Sequence, residues 1–234
     1  MQSNPSGGIL IDGSAYPSVT KILTSDPKRK TFYKAQAVKR KKQAFDGVGR
    51  AVGMHRGTSL HETFANYITT GECDCAPIYY SYWQNLLEVV SRIDIDPIWA
   101  ERPLLPEHSK FTDGETSVIW SKKHKFLGKP DLIGLFGGVP AVCEIKTSTD
   151  LFTKNYDRRN FATYSQWMPY SHSAMQVASY AAAWNERTGD NINTGIVINV
   201  TPETAQLFII DAPEMQSRFT NFRKLCRDFH KSAR

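Results

Sequence analysis

One stretch constrains this chain more than any other: G-K-P-D-L-I-G-L-F-G-G-V-P-A-V-C-E-I-K-T, residues 128–147. Two apolar runs flank Gly137-Gly138, a dipeptide suited to a two-residue hairpin turn. With that turn Phe136 faces Val139, and stepping outward in register brings Asp131 opposite Glu144. Side chains so opposed lie about 4.5–5.5 Å apart at Cβ, where two carboxylates repel. Charge inside an apolar run is costly unless it is paired or bound to a metal. A divalent cation would turn the repulsion into a binding site, and hard oxygen ligands favour Mg²⁺ or Mn²⁺. Glu144 and Lys146 are two apart, so they share one strand face. A lysine beside a metal-bound water can orient that nucleophile or stabilise charge at phosphorus. A cross-strand salt bridge on a solvated face is the alternative; the apolar flanks weigh against it, while Pro140 leaves the register open.

The 234 residues suit one large domain or two small ones. With 41% hydrophobic and 22% charged residues, the composition excludes a fibrous or wholly disordered chain. Net charge is +6, and it is concentrated. Residues 28–42 carry Lys28, Arg29, Lys30, Lys34, Lys39, Arg40, Lys41 and Lys42 without an acid, so the remainder is net negative. Such a patch fits a polyanion such as nucleic acid; a solvated helix face fits it too. Cys73, Cys75, Cys143 and Cys226 match no zinc spacing and read as reduced thiols of a cytosol-like compartment. The start is polar, without an apolar signal core, and no apolar run is long enough to span a bilayer. The expectation is a soluble cytoplasmic protein, a mitochondrial address being disfavoured.

Residues 1–15 read as loose. Y-P-S-V-T-K-I-L predicts a short helix with Pro17 in its first turn. Ser25 or Asp26 caps a basic helix expected to run to Phe45, with Pro27 at its first position. Glycines make residues 46–53 read as mobile. A helix is expected over 59–69, with a Ser59/Glu62 capping box and a stop at Gly71, and an amphipathic one over 77–93. Strands follow in P-I-W-A-E-R-P-L-L, S-V-I-W, F-L-G-K-P-D-L-I-G-L-F and A-V-C-E-I-K-T. Residues 148–172 read as a long connection. A helix over 173–187 stopped by Gly189, strands T-G-I-V-I-N-V and A-Q-L-F-I-I, and a helix over 213–230 complete the chain. The fold class is mixed α/β, with an N-terminal helical part (1–95) and a sheet-containing core (96–234) in one compact domain.

P-D-L-I-G with E-I-K resembles the signature of the PD-(D/E)xK nuclease superfamily. G-T-S-L-H (57–61), G-K-P-D-L-I-G and Q-V-A-S-Y (176–180) resemble, in the same order, the G-x-x-x-H, metal-aspartate and Q-x-x-x-Y motifs of its RecB-like branch. Y-P-S-V-T-K-I-L and R-G-T-x-L-H also resemble mitochondrial genome maintenance exonucleases and small phage exonucleases. The motifs span residues 57–180, and four in order make a specific pattern.

The resemblance implies a restriction-endonuclease-like core, a central mixed sheet flanked by helices. It implies that His61, Asp131, Glu144 and the Ile145 carbonyl hold one or two Mg²⁺ or Mn²⁺ ions, and that Lys146 is catalytic with Asp131 and Glu144. Gln176 and Tyr180, at i and i+4 on one helix face, would support the site and touch the DNA backbone. Alone, His61 would read as a capping or core histidine, and Gln176 and Tyr180 as helix packing. Glu101 either assists the site or pairs with Arg102 or another neighbour. The cysteine spacing departs from the iron–sulfur members of the branch, so no cluster is expected, and no phosphate loop signals a helicase motor.

In residues 154–172, Arg158 and Arg159 interleave with Tyr156, Phe161, Tyr164, Trp167 and Tyr170. That is the composition of a single-strand platform or of a long loop packing its aromatics on the core. With Lys39, Arg40, Lys41 and Lys42 it suggests a channel over the site that admits free ends. The resulting expectation is a metal-dependent DNA exonuclease favouring single strands, in replication, repair or recombination, with DNA and replication or recombination proteins as partners. The rivals are an endonuclease of the same superfamily and a non-catalytic DNA-binding recombination accessory module.

Overall fold

The computed structural model describes residues 9–11, 13–31, 46–104, 109, 117–156 and 160–232. Its centre is the hairpin formed by β6 (Leu132–Phe136) and β7 (Val139–Thr147). Gly137 and Gly138 both take positive φ, 57° and 81°, as a tight turn matched to strand twist requires. The antiparallel ladder runs from Phe136↔Val139 to Leu132↔Cys143, so Pro140 causes no slip. Asp131 lies one residue before β6, just outside the ladder.

The other edge of β7 pairs in parallel with β8 (Thr194–Val200). A parallel neighbour needs a long crossover, which α4 (Phe161–Thr188) supplies. β3 (Ile95–Ala100) adds antiparallel to β6 and β9 (Ala205–Ile210) to β8, giving a five-stranded mixed sheet in the order β3-β6-β7-β8-β9. Two small antiparallel pairs stand apart, β1 (Ile9–Ile11) with β2 (Ser14–Tyr16) and β4 (Ile119–Ser121) with β5 (Phe126–Gly128).

Helices cover both sheet faces, and the alternation along β7 sorts them. Val142 joins a core built with α1 (Val19–Thr24), α4 and α5 (Ala212–Ser232). Ala141, Cys143 and Ile145 join a core built with α2 (Asp46–Thr70) and α3 (Tyr80–Val90). By the period of two, Glu144 and Lys146 belong to the α4 side. Residues before position 95 thus contribute to both cores. Among the described residues no helix is long and apolar enough to cross a membrane.

Several expectations need correction. The chain before residue 16 is not all loose, since β1 and β2 pair. Pro17 precedes α1 instead of lying in it; Ser18 is the cap, its Oγ accepting from the Lys21 amide at 3.1 Å. The glycine-rich stretch 46–53 is helical and continuous with 59–69, so Ser59 is interior and caps nothing. Four glycines in one helix argued for a break, each costing about 1 kcal/mol against alanine. Packing of α2 against β3 and β7 overrides that cost; at Gly57 a Cβ would make only an ordinary 3.7 Å contact with Thr147 Oγ1, so that glycine is not demanded by a close approach. Gly71 does end the helix, at φ +75°.

Helix α4 begins at 161, twelve residues before the expected start, so much of the presumed connection is helix. Pro169 reads as a breaker but sits inside the helix, whose packing against α5, β4, β7 and β8 overrides that cost. Asn160 caps it, Oδ1 accepting from the Ala162 amide at 2.9 Å. The basic helix starts as expected: Asp26 Oδ1 accepts from the Lys28 amide at 2.9 Å and residues 27–31 are helical. Its continuation, with Lys39, Arg40, Lys41 and Lys42, lies outside the described residues, as do Arg158 and Arg159.

Gly134 in β6 faces the irregular part of β3, where the register shifts between Pro97 and Trp99. A Cβ there would come 2.4 Å from the Asp96 carbonyl oxygen, a backbone atom with nowhere to go. Gly134→Ala is therefore expected to lower unfolding free energy by about 1–3 kcal/mol or more in chemical denaturation; an unchanged midpoint would refute this account of the glycine.

Candidate active site

The groups that sequence reasoning singled out converge at the end of β7, around Asp131. The indole Nε1 of buried Trp99 donates to the Pro130 carbonyl at 3.0 Å, and the Glu101 amide donates to the Asp131 carbonyl at 2.9 Å. Both bonds fix the Pro-Asp dipeptide against the end of β3. The Asp131 side chain, 4% exposed, accepts from the Ile145 amide through Oδ2 at 2.6 Å. Its Oδ1 lies 3.1 Å from His61 Nδ1.

His61 comes from α2 and meets acceptors on both ring nitrogens. Nδ1 is also 3.4 Å from Glu101 Oε1, and Nε2 is 3.1 Å from the Ile145 carbonyl oxygen. Burial opposes its charge, but the Asp131 carboxylate, helped by Glu101, outweighs that and raises its pKa to about 10. Burial would likewise raise Asp131, yet His61, Lys146 and the Ile145 amide hold it below the usual carboxylate range.

Glu101 sits one residue past β3 at φ 56°. A left-handed conformation costs a non-glycine residue about 1–2 kcal/mol and is typical of chain held for a site. Here it aims the carboxylate at His61 on one side and at Lys129 Nζ, 2.7 Å away, on the other. Glu101 therefore does both things expected of it, joining the site and pairing with a neighbour, although that neighbour is Lys129. Lys129 escaped the sequence reading despite standing beside the Pro-Asp dipeptide.

His61, Glu101 and Asp131 place ligand atoms within 4.8 Å of one another, a group able to hold a metal ion. Glu144 is not in this group. Its Oε1 pairs with the Lys146 ammonium, and its Oε2 is buried with no hydrogen-bond partner among the described residues. Burial first, then the Asp131 charge, pushes Glu144 up to about 7 against the pull of Lys146. Lys146 shifts the other way from its burial cost: Glu144 and Asp131 hold its pKa above the ordinary lysine value. A positive charge from the basic turn, Arg29, also acts on Lys146.

Gln176 and Tyr180 share one face of α4, Nε2 donating to the Tyr180 hydroxyl at 2.8 Å. Tyr180 is buried, and the Glu144, Asp131 and Glu101 charges all act on it. Its hydroxyl is held by Gln176 and its ring lies in the core. Its ring occupies the space a side chain at Gly128 would need, 2.2 Å from a Cβ built there. A cleft of about 700 Å³ opens beside the metal-capable group. Thr58, Glu62 and Asn66 line it from α2, with Arg102, Ser117 and Lys129 opposite. Helical spacing from His61, three residues back, was the signal that could have found Thr58.

The donor set fits a divalent cation. Asp131 Oδ1, Glu101 Oε1 and the Ile145 carbonyl are all acceptors gathered about one imidazolium, and a fourth buried oxygen, Glu144 Oε2, lacks a donor. All four cysteines are free thiols, Cys143 being buried in β7. No protein-family model matches the chain, and no curated protein matches it.

The Glu144–Lys146 pair makes a prediction with a definite sign. The folded pKa of Glu144 lies above its ordinary 4.5, so its contribution to stability is full below that value and lost as pH rises through about 7. Lys146→Met removes the counter-charge and raises Glu144 further. Melts in chelator should show the variant losing about 1–3 kcal/mol more at pH 8 than at pH 5. Equal losses at both pH values would mean that the pair is not coupled as described.

Proposed function

We propose that the chain is a metal-dependent deoxyribonuclease with the restriction-endonuclease-like core of the PD-(D/E)xK superfamily, RecB-like branch, acting on DNA from free ends and favouring single strands. The observation that carries this reading is the meeting of two buried carboxylates, Asp131 and Glu144, with Lys146 two residues along β7 and His61 reaching in from α2. Buried acids of this kind are a cost to the metal-free fold, and their retention in an apolar hairpin points to a site built for cations.

Asp131, His61, Glu144 and the Ile145 carbonyl would hold Mg²⁺ or Mn²⁺, with Glu101 at the rim. Such an ion supplies an activated water and Lewis-acid stabilisation of a phosphodiester oxygen. Asp131 is held in position by the Ile145 amide, so its orientation does not depend on what is bound. Lys146 stays charged and a third exposed, so its ammonium can face an entering phosphate while Glu144 keeps it in place. Tyr180 and Gln176 back this arrangement from α4 and exclude water behind it. Arg102 and Lys129, the latter paired with Glu101, stand in the adjoining cleft, where a phosphate would meet them.

The deciding assay compares wild type with Lys146→Ala on end-labelled single strands, duplexes and closed circles in Mg²⁺. Progressive shortening from ends that spares circles and falls at least a hundredfold in the variant is expected, general acid–base or electrostatic groups being worth about 10²–10⁴. Cut circles would replace the exonuclease by an endonuclease. Salt-sensitive binding without cleavage in any divalent metal would leave a DNA-binding module.

Metal binding is checked separately by thermal melts with Mn²⁺. The ligands must shed protons, which His61 holds up to about pH 10 and Glu144 to about pH 7. The Mn²⁺-induced stabilisation should therefore grow from pH 6 to pH 8.5, by about 1.4 kcal/mol per pH unit for each proton displaced, and vanish in Asp131→Asn. Melting curves blind to Mn²⁺ throughout would remove the metal from the reading.

A further inference from the structure

The aromatic residues around the start of α4 are gathered, not scattered. Tyr156 stacks on Trp167 with ring centroids 4.5 Å apart and planes 22° from parallel. Tyr164 closes the group, 5.4 Å from Tyr156 and 5.9 Å from Trp167. Tyr156 is 42% exposed, so one ring of a stack otherwise held by a helix is presented to solvent. A tyrosine so placed offers a flat apolar face with a polar tip for a further contact.

The group also has a defined position relative to the basic turn. Tyr164 feels the charge of Asp26, which caps the basic turn 27–31 and pairs with His172 of α4 at 3.3 Å. The next residues of that turn are Lys28, Arg29 and Lys30, and the Arg29 charge acts on both His172 and Lys146. The basic turn is thus tied to the helix that carries Tyr164 and Trp167. Phosphates drawn to that segment would carry their bases past the rings.

We infer that the Tyr156–Trp167 stack is a base platform for single-stranded DNA, extending the strand's path from the metal-capable site across the basic turn. A ring face can be read only by a base whose own face is free, which a single strand offers and a duplex interior does not. The platform therefore sets strand preference. The inference rests on the proposed nuclease function for the choice of DNA as the strand, since RNA bases offer the same faces.

The test is binding by fluorescence anisotropy in chelator, with labelled oligothymidylate and an abasic oligomer of equal length. Wild type, Tyr156→Ala and Tyr156→Phe are compared, with melts to show that each is folded. Tyr156→Ala should bind oligothymidylate about tenfold more weakly, the loss of one stacked base. Tyr156→Phe should match wild type, and all three should bind the abasic oligomer alike. Unchanged affinity of Tyr156→Ala for oligothymidylate, an equal loss on both oligomers, or a wild type that does not distinguish the two would overturn the platform. Cleavage in Mg²⁺ is scored in parallel. A cleaving wild type with an unaffected Tyr156→Ala sinks the platform and leaves the nuclease standing; base-dependent binding lost in Tyr156→Ala without any cleavage does the reverse.

Discussion

The hydrogen bond from the Ile145 amide to the Asp131 carboxylate holds this structure's centre together. It lies just beyond the last rung of the β6–β7 ladder, where a backbone partner is no longer available, and a side chain supplies the acceptor instead. By that substitution the carboxylate is buried, oriented and brought to the neighbour of Glu144 in one step. The Pro-Asp dipeptide is pinned from the other side by Trp99 and by the Glu101 amide, so Asp131 ties the ends of β3, β6 and β7. A position fixed by three strands is rigid enough to carry chemistry, which groups on a free loop are not.

What was legible in the sequence follows from the range of the interactions that decide it. The hairpin register could be read because a glycine pair dictates its own turn, and a turn dictates every pair beyond it. The stops at Gly71 and Gly189 could be read for the same local reason, both residues taking positive φ. The extents of α2 and α4 could not. Glycines in one and Pro169 in the other are local arguments against helix, and they lose to packing that becomes visible only when the sheet is in place. Pro169 shows the point: it sits inside a helix packed against α5, β4, β7 and β8.

The site divides in the same way. Asp131, Glu144 and Lys146 stand on one hairpin, and their mutual placement could be worked out from alternation alone. Glu101 and Lys129 could not be assigned to each other, because their pairing depends on a left-handed turn at Glu101 that no rule of composition anticipates. His61 needed a contact between α2 and β7, some eighty residues apart in the chain. Tyr180 was visible as a helix-face residue, but its burial against Gly128 was not, since that contact joins the helix to a distant strand.

His61 and Lys146 answer the two carboxylates in different ways, and the difference bears on how the site would work. Lys146 neutralises Glu144 by a direct pair and keeps part of its surface in solvent. His61, whose side chain is exposed almost as much, instead fills a nest of acceptors whose charge it balances only while protonated. Lys146 thus answers Glu144 directly, whereas His61 answers two carboxylates and a backbone carbonyl at once. The strain at Glu101 fits the same division. A carboxylate held in a costly backbone conformation beside that imidazole adds an acceptor where acceptors are already gathered, which is how His61, Glu101 and Asp131 come to form a group able to hold a metal ion.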